Sequence, residues 1–284
     1  MTFHFTRLAY GRAMINALTL FTCVSLFACP AFAQSNQSLD NLDATLLAGW
    51  QTESGTHMAG LTLQLAPGWK TYWRSPGEAG IPPLFNWQGS ENLKSVQVFW
   101  PRPSVFHTNG LQSIGYHDAV TLPLEVTALD PSKPVHLHGT IELGVCKDIC
   151  LPAALDLTTD LVGPGALDTR IQAALAAQPD LAAPELGAVT CKITPIDDGM
   201  TVAATLQFTA TDTLETVAFE TAQPDIWVAE AKTTRTAGNL ISVTDMVGPT
   251  AAPFALDPAL ITITVLAGDT AVAFQGCPPG PNNN

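Results

Sequence analysis

Two cysteines four positions apart, Cys146 and Cys150, are the residues whose type and spacing suit redox chemistry. A thiolate attacks a disulfide sulfur and a second thiol resolves the mixed disulfide, so a close pair can cycle between dithiol and disulfide. Cys146 ends a long alternating run, and Cys150 opens a second candidate strand through Leu155 and Leu157, with Lys147-Asp148-Ile149 between them. A tight hairpin sets the two cysteines opposite each other, at the roughly 4.5 to 5.5 Å Cα separation of antiparallel neighbours, which is within disulfide range. So small a loop holds little chain entropy, and its closure adds less stability than closure of a long one. Lys147 favours a thiolate and Asp148 opposes it. Pro152, with no N–H and a fixed φ, helps define the hairpin exit. Spacing alone leaves two other readings open: a purely structural bond, or a metal-binding pair with His107, His117, His136 or His138 as further ligands. The last two alternate outward on a strand, the pattern of solvated side chains.

Cys191 and Cys277 stand 86 positions apart. In the chain-entropy model a bond between them stabilises by roughly 4 to 5 kcal/mol, so a structural disulfide is expected there, although four cysteines permit three connectivities. The sequence holds no serine-histidine-acid arrangement, Gly-rich phosphate loop or HExxH segment, so hydrolase and nucleotide readings have no support and no cofactor or metal is expected.

The elements that must position these residues are strands. Leu61, Leu63 and Leu65 alternate with polar neighbours, as do Val96, Val98 and Trp100, then Val120, Leu122, Leu124 and Val126. Val135, Leu137, Ile141, Leu143 and Val145 do so most clearly, and a period of two marks half-buried strands. Pro67-Gly68, Ser75-Pro76-Gly77, Pro82-Pro83 and Asp130-Pro131 punctuate the runs, the pattern of an antiparallel sandwich. After Gly163-Pro164-Gly165, Leu167, Ile171 and Leu175 recur at helical spacing, predicting a short linker helix over 166–177 that Pro179 ends. Strands resume with Val202, Ala204, Leu206 and Phe208, then Ile261, Ile263 and Val265, as in a second small β-sandwich. The segment after Cys277 is expected to be disordered.

Arg7 and Arg12 precede an apolar run from Ala13 to Ala28 and the small-residue site Ala31-Phe32-Ala33, a signal peptide expected to be cleaved after Ala33. Leu26-Phe27-Ala28-Cys29 loosely resembles a lipidation box, but bulky Phe27 and the following Pro30 weigh against lipidation at Cys29. No later stretch is apolar for the roughly 18 residues a span requires, so no membrane insertion of the mature chain is expected. Export places the cysteines where disulfides persist. The formal charge of −13 becomes more negative once the two leader arginines are removed, which argues against nucleic acid or anionic lipid as partners.

The run from Gly68-Trp69-Lys70-Thr71-Tyr72-Trp73-Arg74 to Ser75-Pro76-Gly77, then Gly80-Ile81-Pro82-Pro83 and Trp87, leads into Ile114-Gly115-Tyr116 and Val120-Thr121-Leu122-Pro123-Leu124. Together with Gly144-Val145-Cys146 and Cys150-Leu151-Pro152, it resembles the N-terminal periplasmic domain of the DsbD family of thiol:disulfide interchange proteins. It is most similar to the CxxxC branch that includes suppressor-of-copper-sensitivity relatives. The resemblance spans about Leu46 to Leu161. It implies an immunoglobulin-like sandwich whose cysteines take electrons from a membrane-embedded thiol electron transporter and give them to periplasmic thioredoxin-like or disulfide-isomerase-type proteins. Carried over, Cys150 is the attacking cysteine and Cys146 the resolving one.

The resemblance also implies a cap loop over the pair, here about Phe106 to Ser113, with Phe106, His107, Asn109 and Leu111 as its residues. The acidic pair and aromatic of the best-known members are replaced by residues such as Thr108, Asn109 and Leu111, with Phe106 standing in for the aromatic. Neither a multi-helix membrane domain nor a thioredoxin-like domain follows, so one station of a relay is expected. Trp69, Tyr72 and Trp73, beside a proline-glycine loop, are candidates for partner docking.

The expected fold is therefore all-β, two immunoglobulin-like β-sandwich domains joined by a short helical linker. Residues 1–33 are the signal peptide, 34–163 the redox domain, 164–186 the linker, 187–277 the second sandwich and 278–284 the tail. A different class of function stays open: a non-catalytic periplasmic binding or assembly module with structural disulfides, linked to copper handling.

Overall fold

A computed structural model describes residues 1–2, 4, 35–108, 110–181, 189–208 and 214–280. The leader with Cys29 and the expected cleavage site, Asn109, the end of the linker and residues 281–284 lie outside the described residues.

The described residues are all-β apart from one α-helix and a short 3₁₀ turn. The first strands are β1 (Asn36–Leu39), β2 (Leu42–Gln51), β3 (His57–Leu65), β4 (Lys70–Tyr72), β5 (Leu84–Asn86) and β6 (Leu93–Val98). They are followed by β7 (Ser104–Thr108), β8 (Leu111–His117), β9 (Ala119–Ala128), β10 (Val135–Cys146) and β11 (Cys150–Leu161). After α1 (Thr169–Ala176) come β12 (Asp180–Leu181), β13 (Val189–Ile196), β14 (Gly199–Leu206), β15 (Glu215–Thr221) and β16 (Trp227–Val228). The last are β17 (Lys232–Thr236), β18 (Asn239–Val247), β19 (Ile261–Ala267) and β20 (Thr270–Gln275).

These strands form two pairs of sheets. In the first pair a sheet ordered β1-β2-β3-β9-β6 faces one ordered β11-β10-β4-β8-β7, with β5 added on β10. Leu61, Leu63, Leu122, Leu124, Leu137, Ile141, Leu155 and Leu157, the alternating residues of four strands, meet in one buried core. In the second pair, β12-β20-β19-β15 faces β13-β14-β18-β16, with β17 on β18. Its core holds Val202, Leu206, Ile263 and Val265. Ala218, Leu266 and Ala271 from this second half pack with the first core, so an apolar boundary joins the two pairs.

The helix begins later than its apolar spacing predicts. Asp168 caps it by accepting from the Arg170 N–H, and Leu167 stays outside, exposed to solvent. Ile171 is fully buried against Leu47 and Met58, so the helix docks on the first sheet pair. The tail also departs from expectation. The Cys191 N–H donates to the Pro278 carbonyl at 2.8 Å and Cys191 bridges Pro279, so 278–280 is held against β13 instead of lying disordered.

His57, at the start of β3, is buried with its Nε2–H donating to the Ala48 carbonyl at 2.7 Å. Burial pulls its pKa below 6.5, outweighing the carbonyl acceptor. The unfolded chain therefore takes up this proton more readily. His57 contributes stability that is present above about pH 6.5 and lost as the pH falls toward the folded value. Half-buried His138 works in the opposite sense, raised first by the Gln88 carbonyl and then by Asp156. The fall in Tm between pH 7 and pH 5 should be smaller in His57→Gln than in the parent, measured by thermal unfolding across that range.

Candidate functional site

The Cys146–Cys150 pair is set by strand register. β10 and β11 pair without a break from Val135 opposite Leu161 to Cys146 opposite Cys150, and Lys147-Asp148-Ile149 closes the hairpin with the Lys147 N–H donating to the Ile149 carbonyl. The two cysteines are disulfide-bonded with their Cα atoms 4.1 Å apart. Their environments differ sharply. Cys146 is 1% exposed, whereas Cys150 lies at the surface.

β4 reaches the pair from below. Ala66-Pro67-Gly68-Trp69 turns back on itself, the Trp69 N–H donating to the Ala66 carbonyl, and Gly68 supplies the positive φ (79°) that such a turn needs. The chain then enters β4, with Lys70 opposite Cys146 on one side and His117 on the other. Thr71 is buried and its hydroxyl donates to the Gly144 carbonyl at 3.0 Å. Tyr72 is 2% exposed; its hydroxyl donates to Cys146 Sγ at 3.0 Å and lies 3.4 Å from Cys150 Sγ. Burial raises the phenol pKa above 10, so the O–H persists as a donor through neutral and mildly alkaline pH.

This contradicts docking by Tyr72 and Trp73. Both are buried, because β4 is an inner strand between β10 and β8 and its aromatic side chains are covered by the layers around them. Trp73 is fully enclosed, with the Arg74 guanidinium stacked 4.3 Å from its ring. Trp69 is partly buried against the same core. The sequence alone did not disclose that Tyr72 reaches the sulfurs, since that contact depends on which strands flank a three-residue segment.

Of the expected cap residues, Phe106 and His107 lie on β7 and Leu111 on β8, separated from β10 by β4. Phe106 pairs with Ser113, and the Lys70 ammonium lies 5.0 Å over the Phe106 ring while donating to the Ser113 hydroxyl at 3.1 Å. Lys70, Phe106, His107, His117 and Cys146 line a groove of about 520 Å³ beside the disulfide. Leu111 is exposed at the hairpin tip.

Two contacts tie this region to the second sheet pair. Arg74 grips the Glu220 carboxylate with Nε at 2.7 Å and Nη2 at 3.0 Å, and the Thr216 hydroxyl donates to Gln112 Oε1 at 3.1 Å. The chain segment leaving β4 and the β8 strand are thus both braced from β15. Within that second pair, Cys191 and Cys277 are bonded to each other, both buried, and link β13 of one sheet to the segment after β20 of the other. His136 and His138, in contrast, face Asp160 and Asp156 on β11 at 2.7 and 3.2 Å.

The first sheet pair is an all-β sandwich with a disulfide at a hairpin end, Cys150 exposed and Cys146 buried. Residues 43–161 match the family model "Thiol:disulfide interchange protein DsbD, N-terminal", so that segment carries the domain on which the sequence resemblance rested. The fold is similar to the crystal structure of the N-terminal periplasmic domain of ScsB from Proteus mirabilis, at a TM-score of 0.68 and 23% identity. That likeness covers 88% of this chain and 100% of the other. No curated protein matches the chain. Among the described residues no helix is long and apolar enough to cross a membrane.

Gly144 is a position where the site leaves no room for a side chain. A Cβ there would lie 2.9 Å from the Ile81 Cβ and 3.3 Å from the Tyr72 ring. Gly144→Ala should destabilise the protein by about 1 to 3 kcal/mol through overpacking, measured by denaturant unfolding of the oxidised chain. Gly280→Ala, whose Cβ would come no closer than 3.7 Å to Thr190, serves as the comparison.

Proposed function

We propose that this chain is a periplasmic thiol-disulfide exchange protein. It relays electrons from a membrane-embedded thiol electron transporter to oxidised periplasmic proteins of the thioredoxin-like or disulfide-isomerase type through Cys146 and Cys150. The observation that carries the reading is the asymmetry of the pair: one sulfur open to solvent, the other buried beneath a hydroxyl donor. The DsbD N-terminal match over 43–161 supports it. In this reading the chain is exported by its leader, the first sandwich is the redox domain, α1 lies in the linker, and the second sandwich is a separate, non-catalytic domain stapled by Cys191–Cys277.

In the loading step, a donor thiolate attacks exposed Cys150 Sγ. The Cys146–Cys150 bond breaks, and Cys146 leaves as a thiolate that accepts the Tyr72 hydrogen bond. A second donor thiol then attacks the mixed disulfide; the donor departs oxidised, and the dithiol keeps two electrons and two protons. In the delivery step, the Cys150 thiolate attacks the acceptor's disulfide and one acceptor sulfur leaves as a thiolate. Cys146 then attacks Cys150 Sγ, which restores the internal disulfide and releases the acceptor reduced. A buried sulfur suits the resolving role because only its partner within the hairpin can reach it.

Cys146→Ala should accumulate mixed disulfides with periplasmic proteins through Cys150, and Cys150→Ala should not, as read on non-reducing gels. A folded Cys146→Ala chain that captures no partner would sink the proposal. Tyr72→Phe should slow reduction of the disulfide by a dithiol roughly tenfold to a hundredfold, the worth of a hydrogen bond to a charged leaving group, in stopped-flow thiol exchange. An unchanged rate in a folded variant would remove Tyr72 from the mechanism.

A further inference from the structure

β11 is an outer strand of its sheet, so one side of its backbone is left without a strand neighbour. Over part of its length that side is covered. The Asp156 N–H donates to Gln37 Oε1 and the Thr158 N–H to Ser35 Oγ, while the Ala154 carbonyl accepts from Gln37 Nε2 and the Thr158 carbonyl from the Ser35 N–H. The even-numbered residues 154, 156 and 158 therefore direct their backbone groups outward. Register runs unbroken to Cys146 opposite Cys150, so the same parity holds for Pro152 and Cys150. The short 4.1 Å Cα separation of the cysteines fits a non-hydrogen-bonded pair, in which both residues' N–H and C=O groups point away from the partner strand.

The cover given by Ser35 and Gln37 stops at Ala154, four positions short of Cys150. Among the described residues, one donor and two acceptors are left open, the Cys150 N–H and the carbonyls of Cys150 and Pro152, at the exposed Cys150. Exposed Ile149 and Leu151 flank them. Pro152 has no N–H to offer, which keeps the open edge short and limits pairing with other chains.

We propose that this open end of β11 is the docking edge for the exchange partner, which lays an extended, cysteine-bearing segment against Cys150 to Pro152 as an added strand. The inference rests on the exchange reading above. Its physical basis is a match of distances: a mixed disulfide holds two Cα atoms about 4.4 to 6.8 Å apart, and antiparallel strand neighbours lie about 4.5 to 5.5 Å apart. Bonding a partner's sulfur to Cys150 from the open side thus brings its backbone within hydrogen-bonding reach of the edge. Backbone pairing supplies affinity without reading side chains, which suits a protein that serves several acceptors.

The test uses the full-length Cys146→Ala protein and a synthetic extended pentapeptide whose central cysteine carries a thionitrobenzoate group in disulfide linkage. Cys150 loses its proton to buffer and attacks the peptide sulfur, and thionitrobenzoate leaves with the electron pair and is read by its colour. Two further peptides carry N-methyl groups at alternate backbone amides in complementary patterns. The methylation pattern that removes the edge-facing N–H groups should slow capture about tenfold, and the other should leave it unchanged. Equal rates for all three peptides would overturn the docking edge while leaving the exchange reading intact. A Cys150 that reacts neither with the peptides nor with the free dithio-bis-nitrobenzoate reagent would overturn the exchange reading, and the edge with it.

Discussion

The pairing of β10 with β11 is the constraint on which the rest of the site depends. Side chains alternate along a strand, so a slip of one residue would carry Leu137, Ile141, Leu143 and Val145 from the core to solvent. At about 25 cal/mol per Å² of buried apolar surface, that loss would far exceed any gain from the hairpin itself. The hydrophobic core thereby fixes which residue faces which along the whole ladder, including its last pair. The cysteines are brought together by the burial of apolar side chains along the whole ladder, and the bond between them need not hold the strands in place.

That arrangement also gives the two cysteines different surroundings. Cys146 ends an inner strand with β4 on its far side, so it is buried and receives the Tyr72 hydroxyl, while Cys150 begins an outer strand and meets solvent. Gly144 leaves room for Ile81 and the Tyr72 ring, and the Arg74–Glu220 and Gln112–Thr216 contacts hold the neighbouring strands from the second sheet pair. These two polar ties, with the apolar boundary at Ala218, Leu266 and Ala271, give the second pair a physical connection to the first.

Much of this was legible in the sequence. Alternation alone located the core strands, because a period of two is a local property of a half-buried strand, and the spacing of Cys146 and Cys150 between two such runs implied a hairpin that brings them together. The helix was legible through Ile171, while its true start depended on Asp168 capping it, which left Leu167 outside. The family resemblance over the first sandwich followed from an ordered set of short motifs, and residues 43–161 carry that family's domain.

What tertiary structure decided was where side chains point when the neighbouring strand comes from a distant part of the chain. Tyr72 and Trp73 sit beside a turn and were expected at a surface, yet β4 lies between β10 and β8, with partners some 45 to 75 residues away, and both rings are buried. Ser35 and Gln37 cover β11 from more than a hundred residues away, and Cys191 holds the start of the tail. The sequence by itself determined the strands and the cysteine spacing, because periodicity and turn chemistry act over a few residues. Which sulfur is buried, what donates to it and where an edge is left open followed only from sheet order, which is set by long-range packing of the whole core.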